Sequence, residues 1–529
     1  MTKGIIAGGS EQTVSAGAEM LRRGGNAVDA AVAAAFASFV GEPILSTPSG
    51  GGFATVFVPG QAPVVYDFFC TTPGLGEDRR GAGIDFVPVT VQYESGTSVY
   101  HIGRASSAVP GNVPGLAQLL ADAGTLPLDV VLEPAIRLAR EGYILSEKQA
   151  DLIQLVDVIL AYDPRCGTVF APQGRFVRAG ERFRNTALAA TLEQVARDGW
   201  ETFTTGAVAE AMVADQAAHG GLITADDLAS YQVVRREPLR FDYGNTTIYT
   251  NPPPSAGGIL IAYMLALFAG IDRAGMAHNS ADHAALVAEI MRQVALARVR
   301  DRPAKLPDPA AWDGWLNGPR LAQDRAAIAA ALASGTARRG WPEHNGPAST
   351  THISVMDENG LAVGLTTTPG ETAGYMVGDT GILANNILGE EELSPDGFLV
   401  WEPGMRLASM MAPTITADAD GARLVMGSGG AARLRSAIFH LLSNVLDWGM
   451  GLAAAVDAPR VHLEGDVLDL EGGFSPAEAD QLEARGYVVS RWPGRAFYFG
   501  GTHAVQREPS GRLTGAGDAR RGGAVAIVD

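Results

Sequence analysis

The chain has 529 residues, 47% hydrophobic and 19% charged, the balance of a globular protein long enough to bury a large core. A formal net charge of −18 excludes nucleic acid or an anionic membrane as the main partner, because both demand a basic footprint. Two cysteines, Cys70 and Cys166, are too few for a disulfide framework, and the nine histidines lack ligand spacing, so neither a structural metal nor a cofactor is expected.

In chain order, Ser10 can cap a helix running to about Arg23, with Gly24-Gly25 as its stop. Asn26 caps a second helix, Ala27 to Val40, with Asp29 beside its N-terminal dipole. This helix is almost wholly small and apolar, so burial is predicted. It is too short to span a bilayer, and no apolar stretch of signal-peptide length precedes it, so a cytoplasmic protein is expected. Phe53 to Val58 and Pro63 to Phe69 read as two strands. Pro114 to about Gly220 is mostly helical, including Val130 to Arg140 and Leu188 to Asp198. Strands return at Leu239 to Phe241 and Thr246 to Tyr249, followed by helices Gly257 to Phe268 and Ala281 to Arg300.

Residues 301–349 are rich in Pro, Gly, Arg and Asp, with one helical island at Leu321 to Leu332, and read as a mobile segment. Strands then dominate: Thr351 to Met356, Ala362 to Thr368, Pro413 to Ala417 and Leu424 to Met426. Helices Leu434 to Trp448 and Pro476 to Arg485 interrupt them. A helix-rich front, a loose segment and a strand-rich back opening at Thr350 is the pattern of a precursor cut at that residue.

Two kinds of segment carry chemistry. Pro347-Ala348-Ser349-Thr350-Thr351-His352 bends into a strand. Thr-Thr pairs open many ordinary strands, since β-branched residues suit them. If the chain is cut before Thr350, however, the freed α-amine can serve as base for the threonine hydroxyl. The reference pKa of such an amine, about 7.7–8.0, lies near working pH. Gly-rich Thr47 to Phe53 precedes a strand, and Gly427 to Arg433 joins a strand to a helix, where backbone N–H groups could form an oxyanion hole or cradle a phosphate. A Walker lysine and a full dinucleotide fingerprint are both missing, which disfavours phosphate.

Several blocks in order resemble the γ-glutamyltransferase family of N-terminal nucleophile hydrolases. They are Arg23 to Ala33, Ala108 to Gly111 with Glu133 to Tyr143, Pro252 to Gly258, Thr350 to Val355, Asn385-Asn386, Ser409 to Pro413 and Gly427 to Arg433. The resemblance implies an α+β fold, a four-layer αββα sandwich with two stacked antiparallel sheets. It implies self-cleavage between Ser349 and Thr350, leaving a large subunit 1–349 and a small subunit 350–529 that together form one intertwined domain. It assigns Thr350 as nucleophile, Thr368 as its hydrogen-bonding support, and the N–H groups of Gly430 and Ala431 as the oxyanion hole.

The family's substrate-binding positions fall at Phe69, Gly370, Ile387, Glu390, Ser409 and Met410. Phe69 stands where family members carry the arginine that grips the γ-glutamyl α-carboxylate, and losing that cation costs several kcal/mol unless another replaces it. Arg104, Arg406 and Arg433 are candidate substitutes, each better read as a structural ion-pair partner. Cleavage or transfer of a γ-glutamyl compound such as glutathione is placed first. An oxamate amidohydrolase-like or cephalosporin acylase-like activity is the alternative, and an inactive homologue comes third. His352 should share a strand face with Thr350 and is expected to be structural.

Overall fold

The computed structural model describes all residues except 82, 94–95, 339–348 and 395–396. Two antiparallel sheets lie face to face between helical layers. The first holds seven strands in the order Ala524–Val528, Gly4–Gly8, Thr351–Asp357, Ala362–Thr368, Gly51–Phe57, Val64–Phe68, Val234–Arg236. The second holds six: Leu513–Ala516, Gly501–Arg507, Gly421–Gly429, Thr414–Asp418, Thr246–Thr250, Leu239–Tyr243. Strands from both sides of the Ser349–Thr350 bond pair with each other in both sheets, so the two stretches cannot fold apart without exposing ladder edges.

Alternation along Thr351–Asp357 sorts its side chains between layers. Ile353 and Val355 join the core under helices Glu11–Arg22 and Ala27–Gly41. Met356 faces the other way, into a small apolar cluster between the sheets with Ile415, Val425 and Val505. Helices Gly257–Ala269, Ala281–Asp301 and Arg433–Leu446 cover the outer face of the second sheet. The expected αββα sandwich is the fold.

Local signals are realised closely. Ser10 accepts from the Thr13 N–H, and Asn26 with Asp29 forms a reciprocal capping box. Every residue of Ala27–Gly41 is buried. Two readings need correction. The strand Gly4–Gly8, inside the first sheet, had no signal, because Gly-Ile-Ile-Ala-Gly is short and carries no polar–apolar alternation. Much of the segment read as mobile is helical, over Pro309–Leu316 and Pro319–Ser334. Pro309 and Pro319 stand in the first turns of these helices, where a missing N–H costs nothing. Trp312, Leu316, Leu321 and Ile328 then pack into the core beside Gly257–Ala269. The part of that reading on 339–348 lies outside the described residues.

Candidate active site

Thr350 sits at the mouth of the sandwich, immediately before the strand Thr351–Asp357, and is only 2% exposed. The chain is continuous through Ser349, so the Thr350 nitrogen is a peptide amide in this geometry. Thr368, at the end of the neighbouring strand, donates its hydroxyl to the carbonyl oxygen of Ser349. The same Oγ1 accepts the Gly370 N–H at 3.0 Å, which fixes its direction. A donor on this carbonyl polarises the bond that Thr350 would have to attack.

The loop after the strand Gly421–Gly429 comes in from the second sheet. Gly429 is obligatory for close approach, since a Cβ there would collide with the Thr350 carbonyl oxygen. Gly430 has φ +122° and Ala431 φ +47°, a turn that leads directly into the helix Arg433–Leu446. Among the described residues neither N–H is taken by a protein acceptor. Two successive free donors at a helix start form an anion-binding concavity. The alanine holds a left-handed conformation that glycine would adopt at less cost.

Three ionisable groups around Thr350 had no sequence signal. Glu371 accepts the Ser349 hydroxyl at 2.9 Å and takes a backbone hydrogen bond from the same residue. Burial pushes its carboxyl up to about 8, opposed by those bonds and by Arg521. Glu42, from the loop after Ala27–Gly41, accepts the Thr351 hydroxyl at 2.5 Å and also that of Thr13, and burial raises its pKa as well. Arg521 reaches the Thr350 carbonyl with Nη1 at 3.3 Å and lies over the Phe497 ring. Desolvation lowers its pKa to about 9, against the pull of Glu371 and Asp518. It is carried by a buried ion network in which Arg520 pairs with Glu471 at 2.5 Å and Arg460 with Asp518 at 2.6 Å.

The substrate-binding positions divide into two groups. Gly370 and Glu390 lie together beside Thr368: a Cβ on Gly370 would come within 2.6 Å of Glu390 Oε1. Glu390 is buried, its pKa well above the usual range through desolvation and the nearby Glu371 charge, and its Oε1 lacks a hydrogen-bond partner among the described residues. Asn386 stabilises this corner, accepting the Glu371 N–H at 2.7 Å while its own N–H bonds the Pro369 carbonyl at 3.0 Å.

Phe69, Ile387 and Met410 belong instead to the apolar core under the second sheet's helices, with Phe69 stacked on Phe53 at 5.7 Å. Ser409 is buried and its hydroxyl accepts the Met411 N–H at 3.1 Å, a local turn bond. The candidate replacement cations are all committed. Arg104 pairs with Asp163 at 2.8 Å and Asp215 at 3.2 Å, and Arg433 pairs with Glu464 at 2.6 Å. Arg406 donates to the Phe69 carbonyl and stands over Tyr231. His352 is buried between the sheets, bonded to Thr366 at 2.8 Å and Ser354 at 2.9 Å, and burial holds it neutral.

A threonine beside a polarised carbonyl and two free loop N–H groups is an arrangement suited to acyl transfer. Residues 13–528 match the family described as gamma-glutamyltranspeptidase. The chain belongs to that family. It is 34% identical to an acylase ACY 1 proenzyme of Pseudomonas sp. (strain V22), over 97% of this chain and 92% of that protein. It is 32% identical to the glutathione hydrolase proenzyme of Escherichia coli (strain K12), over 98% and 90%. The crystal structure of cephalosporin acylase from Bacillus halodurans superposes with a TM-score of 0.85 at 25% identity, covering 99% of this chain and 96% of that one. Membership of the family makes this chain an enzyme of the N-terminal nucleophile hydrolase class, while its relatives are named both as acylases and as glutathione hydrolases.

Proposed function

We propose that the protein is a self-processing amide hydrolase or acyltransferase that works through Thr350. In maturation, the Thr350 hydroxyl adds to the Ser349 carbonyl carbon while Thr368 donates to the carbonyl oxygen. The C–N bond breaks, the hydroxyl proton passes to the Thr350 nitrogen, and water hydrolyses the resulting ester to free residues 1–349 from 350–529. In turnover, the new α-amine takes the hydroxyl proton as Thr350 attacks a substrate amide. Gly430 and Ala431 N–H groups stabilise the oxyanion, the amine leaves protonated, and water or an acceptor amine resolves the acyl-enzyme. The observation that carries this reading is the Thr368 hydroxyl on the Ser349 carbonyl. A denaturing gel of the purified protein tests it: two bands sized for 1–349 and 350–529 support it, and a single stable 55.1 kDa band overturns it.

For the acyl group, we place an acylase-type substrate ahead of a γ-glutamyl compound, reversing the order suggested by resemblance alone. Arg104, Arg406 and Arg433 all hold carboxylates or carbonyls of the fold, leaving none of them for an α-carboxylate. The γ-glutamyl reading keeps one supporting feature, Glu390 beside Gly370, which could meet an α-amino group. Relative kcat/KM for γ-glutamyl anilide, glutathione, oxamate and a glutaryl-β-lactam separates the two. Turnover of γ-glutamyl compounds alone restores the first order.

A further inference from the structure

A cleft on the outer side of the second sheet's helices holds an arginine that the fold does not use. It lies between helices Ala281–Asp301 and Arg433–Leu446, with the strand Val461–Glu464 and the turn after it along a third side. Met264, Met291, Val294 and Leu463 give it an apolar wall. Ala432, the residue after Ala431 in the loop that meets Thr350, also lines it. Arg298 and Arg435 enter it from the two helices.

The other charges here are matched. Glu464 receives Arg433 at 2.6 Å and the Tyr498 hydroxyl at 3.3 Å, and Glu392 lies 3.5 Å from Arg298. Asp466, just beyond, faces Arg292 at 3.4 Å. His462 is hydrogen-bonded to the Ser436 hydroxyl at 3.0 Å, and burial holds it neutral. Arg435 forms no hydrogen bond or ion pair with any described residue, and its Nε is buried. Burial, and then Arg298, push its guanidinium down to about 10, against the pull of Glu392 and Glu464. It therefore stays charged at neutral pH. It also stands in the first turn of its helix, where the dipole disfavours a cation. Three guanidiniums, Arg298, Arg433 and Arg435, thus answer two carboxylates, Glu392 and Glu464, in a chain whose formal net charge is −18. An unpaired, partly desolvated charge is costly, and that cost falls when an anion enters.

We propose that this cleft is a binding site for a small monocarboxylate with an apolar body, its carboxylate on Arg435 and Arg298 and its hydrocarbon part against Met264, Met291, Val294 and Leu463. One excess positive charge suits a monoanion, and Glu464 in the lining opposes a second negative charge. A planar guanidinium takes a carboxylate through two parallel N–H donors. The apolar wall favours an organic acid over an inorganic anion, because each buried methylene adds to affinity. The site stands apart from the amide-hydrolase reading and does not depend on it.

The test is isothermal titration calorimetry of the purified full-length protein with hexanoate, hexanamide and inorganic phosphate at low ionic strength. Hexanoate should bind, and hexanamide, of the same shape, should bind about tenfold or more weakly, as loss of a charge-assisted hydrogen bond implies. Arg435→Met should weaken hexanoate by a similar factor without lowering the melting temperature, since no ion pair is broken. Ala295→Phe keeps both arginines and fills the cleft from the helix Ala281–Asp301, so it should abolish binding whatever the folding of Arg435→Met. Where the matured protein turns over an amide, hexanoate that competes with the amide marks the carboxylate as one carried by a substrate or product. A change in rate without competition marks a free acid acting beside the catalytic centre, and either result supports the site. Failure of the wild type to bind hexanoate overturns the proposal, as do equal binding of hexanamide, tighter binding of phosphate, or binding that survives unweakened in either folded variant.

Discussion

The hydroxyl of Thr368 rests on the carbonyl oxygen of Ser349, placing a donor from one strand on the peptide bond that opens its neighbour. Thr367 pairs with Thr351 across the same ladder, so strand register sets this contact. Removing the donor should therefore slow self-cleavage. Thr368→Ala is expected to lower the cleavage rate about 100-fold, the usual cost of one oxyanion donor. Thr368→Ser should recover most of it, as measured by band intensity on a timed denaturing gel.

Thr350→Ala should leave the chain whole and inactive indefinitely. Cleavage that continues in this variant would assign the cut to a contaminating protease and remove Thr350 from the mechanism.

The two oxyanion-loop residues should respond oppositely to exchange. Ala431→Gly relieves a left-handed backbone while keeping the N–H, so activity should persist and the melting temperature should stay within a few degrees. Gly430→Ala must strain a φ of +122°, and its Cβ would lie 3.1 Å from both Arg521 Nη2 and Gly500 Cα. A loss of about tenfold or more in kcat/KM is expected, with thermal unfolding reporting the strain.

Glu371 should make the precursor less stable as pH rises. Its carboxyl moves from an ordinary 4.5 to about 8 on burial. The native state thus binds the proton more tightly than the unfolded chain between those values. This contribution is complete below the lower value and is lost as pH climbs through the upper one. Buried His352 and His503, held neutral by desolvation, act in the opposite sense and lose stability on acidification. In a Thr350→Ala background, the melting temperature of Glu371→Gln minus that of the parent should increase from about pH 5 to about pH 8, with the histidine effect cancelling. A flat difference would show that the carboxyl does not titrate there.

Arg104 should matter for stability rather than for substrate. It joins Asp163 and Asp215 in a buried cluster and lies over Tyr375. Arg104→Met removes one of the two cations that hold these acids, Arg165 lying 2.8 Å from each, so a loss of about 1.5–3 kcal/mol is expected. Chemical denaturation should report that loss, while KM per folded molecule stays unchanged.

The sequence by itself determined what is encoded within a few residues: the Ser10 and Asn26 caps, the buried apolar helix they precede, the strand after Thr350 and the glycine loop before Arg433. Caps, turns and alternation are local physics, and block order tied them to a family and so to its fold. Segment 301–338 misled because a proline at the first turn of a helix looks, in composition, like one that breaks it. Tertiary structure alone decided the electrostatic surroundings of Thr350. Glu42, Glu371 and Arg521 come from three distant parts of the chain, and their shifted pKa values arise from burial that no local pattern reports. It also decided that Phe69, Ile387 and Met410 serve the core and that Arg104, Arg406 and Arg433 are occupied. Packing, not residue type, determines whether a side chain faces a substrate or another part of the fold.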